Sequence, residues 1–287
     1  ISKSGTQPII GTQINFSQEN SIGKLPLFAT TAHGYKNLIK LSSKSYLDSD
    51  ERADPHCKID QLKSINEGLI LMSGNHHGLF GELFKLNKLK QIEETLKNLK
   101  NIFKDRFYLE IQRHNEVGEE NYENFIIKLS EANQIPLMAT QEIFYLKKEM
   151  YEAHDALVCI GQKNFVDDPN RIKFSDQHFV KNNDDIISLF SDIPEALENN
   201  YNFPYRFNFK PKKLAPVLPT IKTEDNVTVE DELLAQAQKG LKNRLDNYIL
   251  KRNLKLNKRE TFKLYEDRLI HEINIINSMN YPGYFLI

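Results

Sequence analysis

Short apolar runs alternate with amphipathic helical patterns through the first half of the chain, and this alternation constrains the fold more than any other feature. Residues 25–30, 68–73, 107–112 and 136–140 read as strands. The last of them opens on Pro136, tolerated at a strand start because no ladder hydrogen bond is needed there. Between these runs, residues 35–46 place Leu38, Ile39 and Leu41 on one helical face. Leu89, Ile92, Leu96, Leu99 and Phe103 then recur at three- and four-residue steps, the spacing of a buried helical stripe. Residues 121–133 give a further helix. Strands separated by single helices argue for parallel pairing and an α/β architecture.

Beyond Glu149 the pattern changes to helices and irregular segments. Residues 150–160 look helical, residues 166–171 form a turn, and residues 192–197 begin a helix with Pro194 in its first turn, where the missing N–H costs little. Pro211, Pro216 and Pro219 fall within nine residues and favour an extended linker. Past it, Thr228 and Asp231 form a capping pair for a helix carrying Leu233, Leu234, Leu241 and Leu245. A basic stretch at residues 251–259 precedes a last helix with Leu264, Leu269, Ile273 and Ile276 turned inward. The expected organisation is a first domain at residues 1–205, a Pro-rich linker at 206–222 and a second domain beginning at 223 and running to 287. The chain starts at Ile1 without a methionine and ends on an apolar run, Tyr281 to Ile287, so both ends look internal to a larger protein.

Charged residues make up 27% of the chain against 40% hydrophobic, with a net charge of -1. That balance suits a globular protein and excludes a strongly basic DNA-wrapping module, while leaving room for a local basic stripe. Cys57 and Cys159 stand far apart, so no disulfide framework or zinc ribbon can be built from them, and a cytoplasmic setting fits. No apolar stretch approaches the roughly 20 residues needed to cross a bilayer.

Reactive groups of a β/α barrel lie at the C-terminal ends of its strands. Those ends carry Asn75, His76 and His77, then Arg113 and His114, then Gln141 and Glu142. Imidazoles and a carboxylate on one rim suit zinc, manganese or another divalent ion able to activate water; the plainer reading is polar loop residues capping strand ends. Lys251, Arg252, Lys258 and Arg259 can contact DNA phosphates or simply form a solvated loop. Tyr281, Tyr284 and Phe285 can stack on bases, but aromatic residues at this density more often belong to a core.

Several motifs in order carry a resemblance. They are Lys36-Asn37-Leu38 after Gly34-Tyr35, Glu67-Gly68-Leu69-Ile70, and Phe107-Tyr108-Leu109-Glu110 with Arg113-His114. They continue with Glu152-Ala153-His154-Asp155, with Asp167-Asp168-Pro169-Asn170-Arg171, and with Ile193-Pro194-Glu195-Ala196-Leu197. The chain up to about Tyr205 resembles the PHP (polymerase and histidinol phosphatase) domain of bacterial replicative polymerase alpha subunits of the C family. The final helix and Gly283-Tyr284-Phe285-Leu286-Ile287 resemble the start of their polymerase core. The resemblance implies a distorted, TIM-like β/α barrel lacking its N-terminal strands, followed by a mainly helical segment that opens the palm.

Metal-binding members of this family have a Glu at the position of Gln13, a Cys at Asn75 and an Asp-x-His where Glu142-Ile143-Phe144 stands. Of the ligands, His114 matches directly and Glu142 is a conservative stand-in, with His76 and His77 placed to compensate. The expectation is a metal-depleted PHP scaffold with residual zinc or manganese disfavoured. For the parent protein the resemblance implies Mg2+-dependent DNA synthesis on a template-primer, with catalytic aspartates beyond Ile287. It also implies a proofreading exonuclease epsilon subunit bound through the PHP region, and a sliding clamp and clamp loader bound elsewhere. The location would be the cytoplasm, at the nucleoid and replisome, with no membrane. The alternative is a PHP-type metal-dependent phosphoesterase or 3'-5' exonuclease.

Overall fold

A computed structural model describes residues 4–49, 53–215, 221–223, 227–252 and 257–287. The chain forms two compact units, Ile1–Pro211 and Lys212–Ile287.

The first unit is built on a six-stranded sheet of order β3-β1-β2-β4-β5-β6. Its strands are β1 (Ile10–Gln18), β2 (Ser21–Ala29), β3 (Cys57–Lys58), β4 (Leu69–Met72), β5 (Phe107–Ile111) and β6 (Leu137–Ala139). Helices α1 (Ala32–Leu47), α2 (Leu79–Lys85), α3 (Leu89–Phe103), α4 (Glu119–Asn133), α5 (Tyr151–Gln162), α6 (Asn183–Leu189) and α7 (Pro194–Asn202) connect and cover it. The α/β class and the strands read from sequence at 25–30, 68–73, 107–112 and 136–140 are all present.

The pairing is mixed, which corrects the expectation of a parallel sheet. β1 and β2 form an antiparallel hairpin over the two-residue link Glu19–Asn20, and β2 runs antiparallel to β4. β4, β5 and β6 are mutually parallel, and the short β3 pairs parallel with β1. A two-residue link can join only antiparallel neighbours, whereas the parallel β4, β5 and β6 need the helical crossovers α3 and α4. The sheet has two ends, β3 and β6, so the described strands do not close a ring.

Residues of β4 and β5 are buried without exception, as expected for central strands covered on both faces. Leu69, Leu71, Phe107, Leu109 and Leu137 face the main core, where Ile92, Leu96, Leu99 and Phe103 of α3 pack. The alternate residues Ile70, Met72, Tyr108 and Met138 face the other side and meet Phe203 and Phe207. One helix correction concerns α1, where Leu38 and Leu41 are buried but Ile39 is half exposed.

The second face positions the site. β2 pairs with β4 only through Leu27, Phe28 and Ala29. Pro26 lies just outside that ladder, consistent with its having no N–H to give. Where the ladder stops, two cavities of about 570 and 500 Å3 open, both lined by Gln13, Pro26, Glu110, Gln112 and Glu142.

In the second unit, α8 (Val229–Arg244) is capped by Thr228, whose hydroxyl accepts from Asp231 N at 3.1 Å. It continues through a π-helical turn, Leu245–Ile249, into the short α9 (Leu250–Arg252). Asn257 caps α10 (Lys258–Ser278), and α11 (Pro282–Leu286) ends the chain. Ile273 is buried, but Leu264 is exposed rather than inward. Tyr281, Tyr284 and Phe285 are likewise exposed, so the core placement favoured from sequence does not hold within this unit. Residues 216–220 of the Pro-rich stretch, including Pro216 and Pro219, and residues 253–256 of the basic stretch lie outside the described residues.

Candidate functional site

Loops at the C-terminal ends of β4, β5 and β6 bring the strand-end residues together, joined by a segment that follows α5. Gln13, Asn75, Glu142 and Phe144 all line the cavity of about 500 Å3. Asn75 is the member of this set tied into a hydrogen-bond network. Asn75 Nδ2 donates to Gln112 Oε1 at 2.8 Å and reaches Glu142 Oε2 at 3.5 Å, while Asn75 Oδ1 accepts from His77 N at 3.0 Å. Gln112 Nε2 donates to Glu110 Oε1 at 2.8 Å and to Thr140 Oγ1 at 2.9 Å. Thr140 Oγ1 also donates to Glu110 Oε1. Burial raises the Glu110 carboxyl above its ordinary value, and its Oε2 has no partner.

His114 is completely buried and engaged at both ring nitrogens. Nδ1 meets Glu119 Oε1 at 3.3 Å, and Nε2 lies 3.3 Å from Glu142 N. A backbone N–H can only donate, so Nε2 accepts and the proton sits on Nδ1, facing the Glu119 carboxylate. Phe144 stacks on His178 at 4.6 Å. With His114 closed, Asn75 shared and Phe144 offering no donor, these positions do not fit a divalent ion. His114 and Glu142 are adjacent as the sequence suggests, yet they meet through the backbone of Glu142 and not as a pair of converging ligands.

His76 and His77 converge elsewhere, on Glu116. His77 Nε2 lies 2.8 Å and His76 Nε2 lies 3.2 Å from Glu116 Oε2. His178 Nε2 lies 2.9 Å from Glu116 Oε1, while His178 Nδ1 donates to the Glu142 carbonyl at 2.9 Å. Burial would raise the Glu116 carboxyl, but the imidazoles of His178, His76 and His77 outweigh it and hold the group far below the usual carboxylate range. His76 is buried, and neither of its ring nitrogens makes a hydrogen bond.

Glu116 and His178 are the residues that sequence reading misses. Glu116 lies in the β5–α4 loop two residues past His114, so extending the strand-end list by two positions finds it. His178 sits in an irregular segment 62 residues further on and carries no periodic or motif signal.

Lys251, Arg252, Lys258 and Arg259 are exposed on the second unit. Lys251 Nζ donates to Asn247 Oδ1 at 3.2 Å, and Lys258 pairs with Asp246 at 3.2 Å while lying over the Phe262 ring.

Residues 1–114, which include β1 to β5 and the loop after β4, match the PHP domain. Over 99% of its length the chain is 37% identical to the DNA polymerase III subunit alpha of Rickettsia bellii, covering 24% of that protein. It is 35% identical to the same subunit of Caulobacter vibrioides and 32% identical to that of Pseudomonas aeruginosa, covering 25% and 24% of them. The chain is thus similar along nearly its whole length to DNA polymerase III alpha subunits, and it spans about a quarter of the length of the relatives it matches. No helix among the described residues is long and apolar enough to cross a membrane.

Proposed function

We propose that this chain is the PHP domain and the entry to the polymerase core of a replicative DNA polymerase alpha subunit. The observation that carries the proposal is similarity to those subunits over 99% of the chain, through both compact units. In this reading residues 1–205 are the PHP domain, 206–222 a linker and 223–287 the start of the core. The whole protein would extend a primer along a DNA template. Mg2+ bound by acidic residues outside this chain would orient the primer hydroxyl and stabilise the leaving pyrophosphate.

This chain's own part is that of a scaffold. His114 is engaged at both ring nitrogens, Asn75 is bonded to Gln112 and Phe144 offers no donor atom, which supports a metal-depleted PHP site whose surroundings serve for docking. The partner proposed for that surface is the proofreading exonuclease epsilon subunit; the sliding clamp and clamp loader would bind other parts of the protein. Lys251, Arg252, Lys258 and Arg259 are proposed to touch DNA phosphates. The setting is the cytoplasm, at the replisome on the nucleoid.

The test is to purify the whole protein that carries this chain, assay primer extension with Mg2+, and identify what co-purifies. Mg2+-dependent extension is expected, and its absence from a folded preparation would sink the polymerase reading. A proofreading exonuclease should be retained, and retention should fail when the PHP surface is altered. An exonuclease that binds equally well without the PHP region overturns the docking role.

A further inference from the structure

We propose that His76, His77 and Glu116 bind one divalent transition metal of the zinc class, at a position offset from the strand-end set of His114 and Glu142. One ligand atom from each of the three residues can be chosen so that all lie within 4.8 Å of one another. Zinc–nitrogen and zinc–oxygen bonds of about 2.0–2.2 Å make the edge of a coordination tetrahedron about 3.3–3.6 Å. Glu116 Oε2 already lies 3.2 Å from His76 Nε2 and 2.8 Å from His77 Nε2. An ion placed among them needs His76 Nε2 to shift by a few tenths of an ångström and His77 Nε2 by about 0.5–0.8 Å.

Three features argue for an ion over a simple polar cluster. The first is His76, whose buried ring nitrogens make no hydrogen bond although Nε2 faces the Glu116 carboxylate at 3.2 Å. A buried polar group without a partner carries a desolvation cost that metal ligation at Nε2 would remove. The second is the support behind Glu116. His178 holds the non-ligating Oε1 at 2.9 Å and is itself fixed by the Glu142 carbonyl, the kind of relay that orients a ligating carboxylate. The third is the rigid placement of the His76 backbone. α2 approaches it so closely that a Cβ on Gly81 would sit 2.2 Å from His76 O.

His77 Nδ1 faces Lys85 Nζ at 3.2 Å, and Lys85 also bonds Glu82 Oε1 at 2.9 Å. The ammonium can therefore turn wholly to Glu82 when His77 ligates through Nε2. His77 also lines the cavity of about 500 Å3, which gives the ion an entry path and leaves a fourth coordination position for water. Two imidazoles with one carboxylate suit zinc, cobalt or nickel better than magnesium or calcium, which prefer all-oxygen shells.

The test uses the full chain, stripped with a chelator and titrated with Zn2+ by calorimetry. Metal content after dialysis and the visible spectrum of the Co2+ form provide readouts independent of any enzymatic activity. One equivalent of Zn2+ is expected, with affinity falling at least tenfold in His76→Gln and in Glu116→Gln. His114→Asn should keep full stoichiometry. Far-UV circular dichroism confirms folding, and His77→Ala, at the more exposed ligand, carries the same expectation if a buried variant unfolds. The proposal is overturned by the lack of a stoichiometric ion in the wild-type chain. Retained affinity in folded His76→Gln or His77→Ala overturns it equally, as does loss of the ion in folded His114→Asn. None of these outcomes bears on primer extension, so this site and the polymerase reading fail separately.

Discussion

The imidazoles of His114 and His178 stack face to face, 4.1 Å between centroids and 3° from parallel. Each ring is fixed at its edges by a different carboxylate, Glu119 for His114 and Glu116 for His178. Phe144 adds a third layer on His178. The stack divides the rim into a closed side, where His114 is consumed by structure, and an open side, where Glu116 gathers three imidazoles.

A structural His114 has a measurable consequence. His114→Ala removes the buried donor that faces Glu119, a side chain only 8% exposed. The expected cost is about 1–3 kcal/mol of unfolding free energy, the penalty for stranding a buried hydrogen-bonding group. Urea titration of the wild-type and variant chains reads it directly. A variant of unchanged stability would show that the ring is dispensable and reopen it to other roles.

Arg113 ties the end of β5 to the loop before α7. Its guanidinium bonds Glu123 Oε2 at 3.0 Å and both oxygens of Asp192 at 2.6 and 2.7 Å, and lies over the Phe190 ring at 4.9 Å. Arg113→Met leaves the Glu123 carboxylate, 14% exposed, without its partner and should cost about 3 kcal/mol, the lower end for a broken buried pair. Hydrogen bonding to Arg113 lowers the Asp192 carboxyl below its ordinary value. Its contribution is therefore present above the unfolded value of about 3.9 and is lost as pH falls below it. Asp192→Asn should lower stability modestly at neutral pH and flatten that acid limb, the variant and wild type converging at low pH. Urea midpoints measured between pH 3 and pH 7 check both variants.

Gly34 and Gly68 form the closest backbone approach in the sheet-to-α1 junction. A Cβ at position 34 would lie 1.9 Å from Gly68 O, and Gly68 itself holds a φ of +69°. Thr30 N also donates to Gly68 O, so that carbonyl cannot move away freely. Gly34→Ala should cost about 3 kcal/mol or prevent accumulation of folded chain, since neither backbone can yield. A melting temperature equal to wild type would refute the packing described.

Legibility of the fold followed the strength of local signals. The α3 stripe, the continuous apolar run of β4 and the mostly apolar β5 are unmistakable, because burial on one stripe or on both faces leaves few polar residues. β1 alternates Ile10, Thr12, Ile14 and Phe16 with Gly, Gln, Asn and Ser, a half-buried pattern diluted by its polar face and easily passed over. β3, only two residues long, leaves no pattern at all. The antiparallel hairpin escaped because its turn, Glu19–Asn20, lacks the glycine that usually announces one. At the site, strand-end logic found His76, His77, His114 and Glu142 but not how they sort. That sorting depends on Glu116 and His178, brought together by tertiary packing across 62 residues.

The basic residues of the second unit permit a graded prediction for the whole polymerase on primed DNA. Arg252 and Arg259 are exposed and have no hydrogen bond or ion pair from their guanidinium groups among the described residues, so both are free to meet phosphates. Lys258 is drawn to Asp246 and Phe262 and Lys251 to Asn247, so each must first give up a local contact. If all four contact the backbone, each alanine substitution lowers the slope of log affinity against log salt by up to about 0.9 for duplex DNA. The two arginines should show the larger effect, and the loss should be uniform across sequences because phosphates carry no base identity. Fluorescence anisotropy over a salt series measures the slopes. Slopes identical to wild type in all four variants would return this stretch to the role of a solvated connection between α9 and α10.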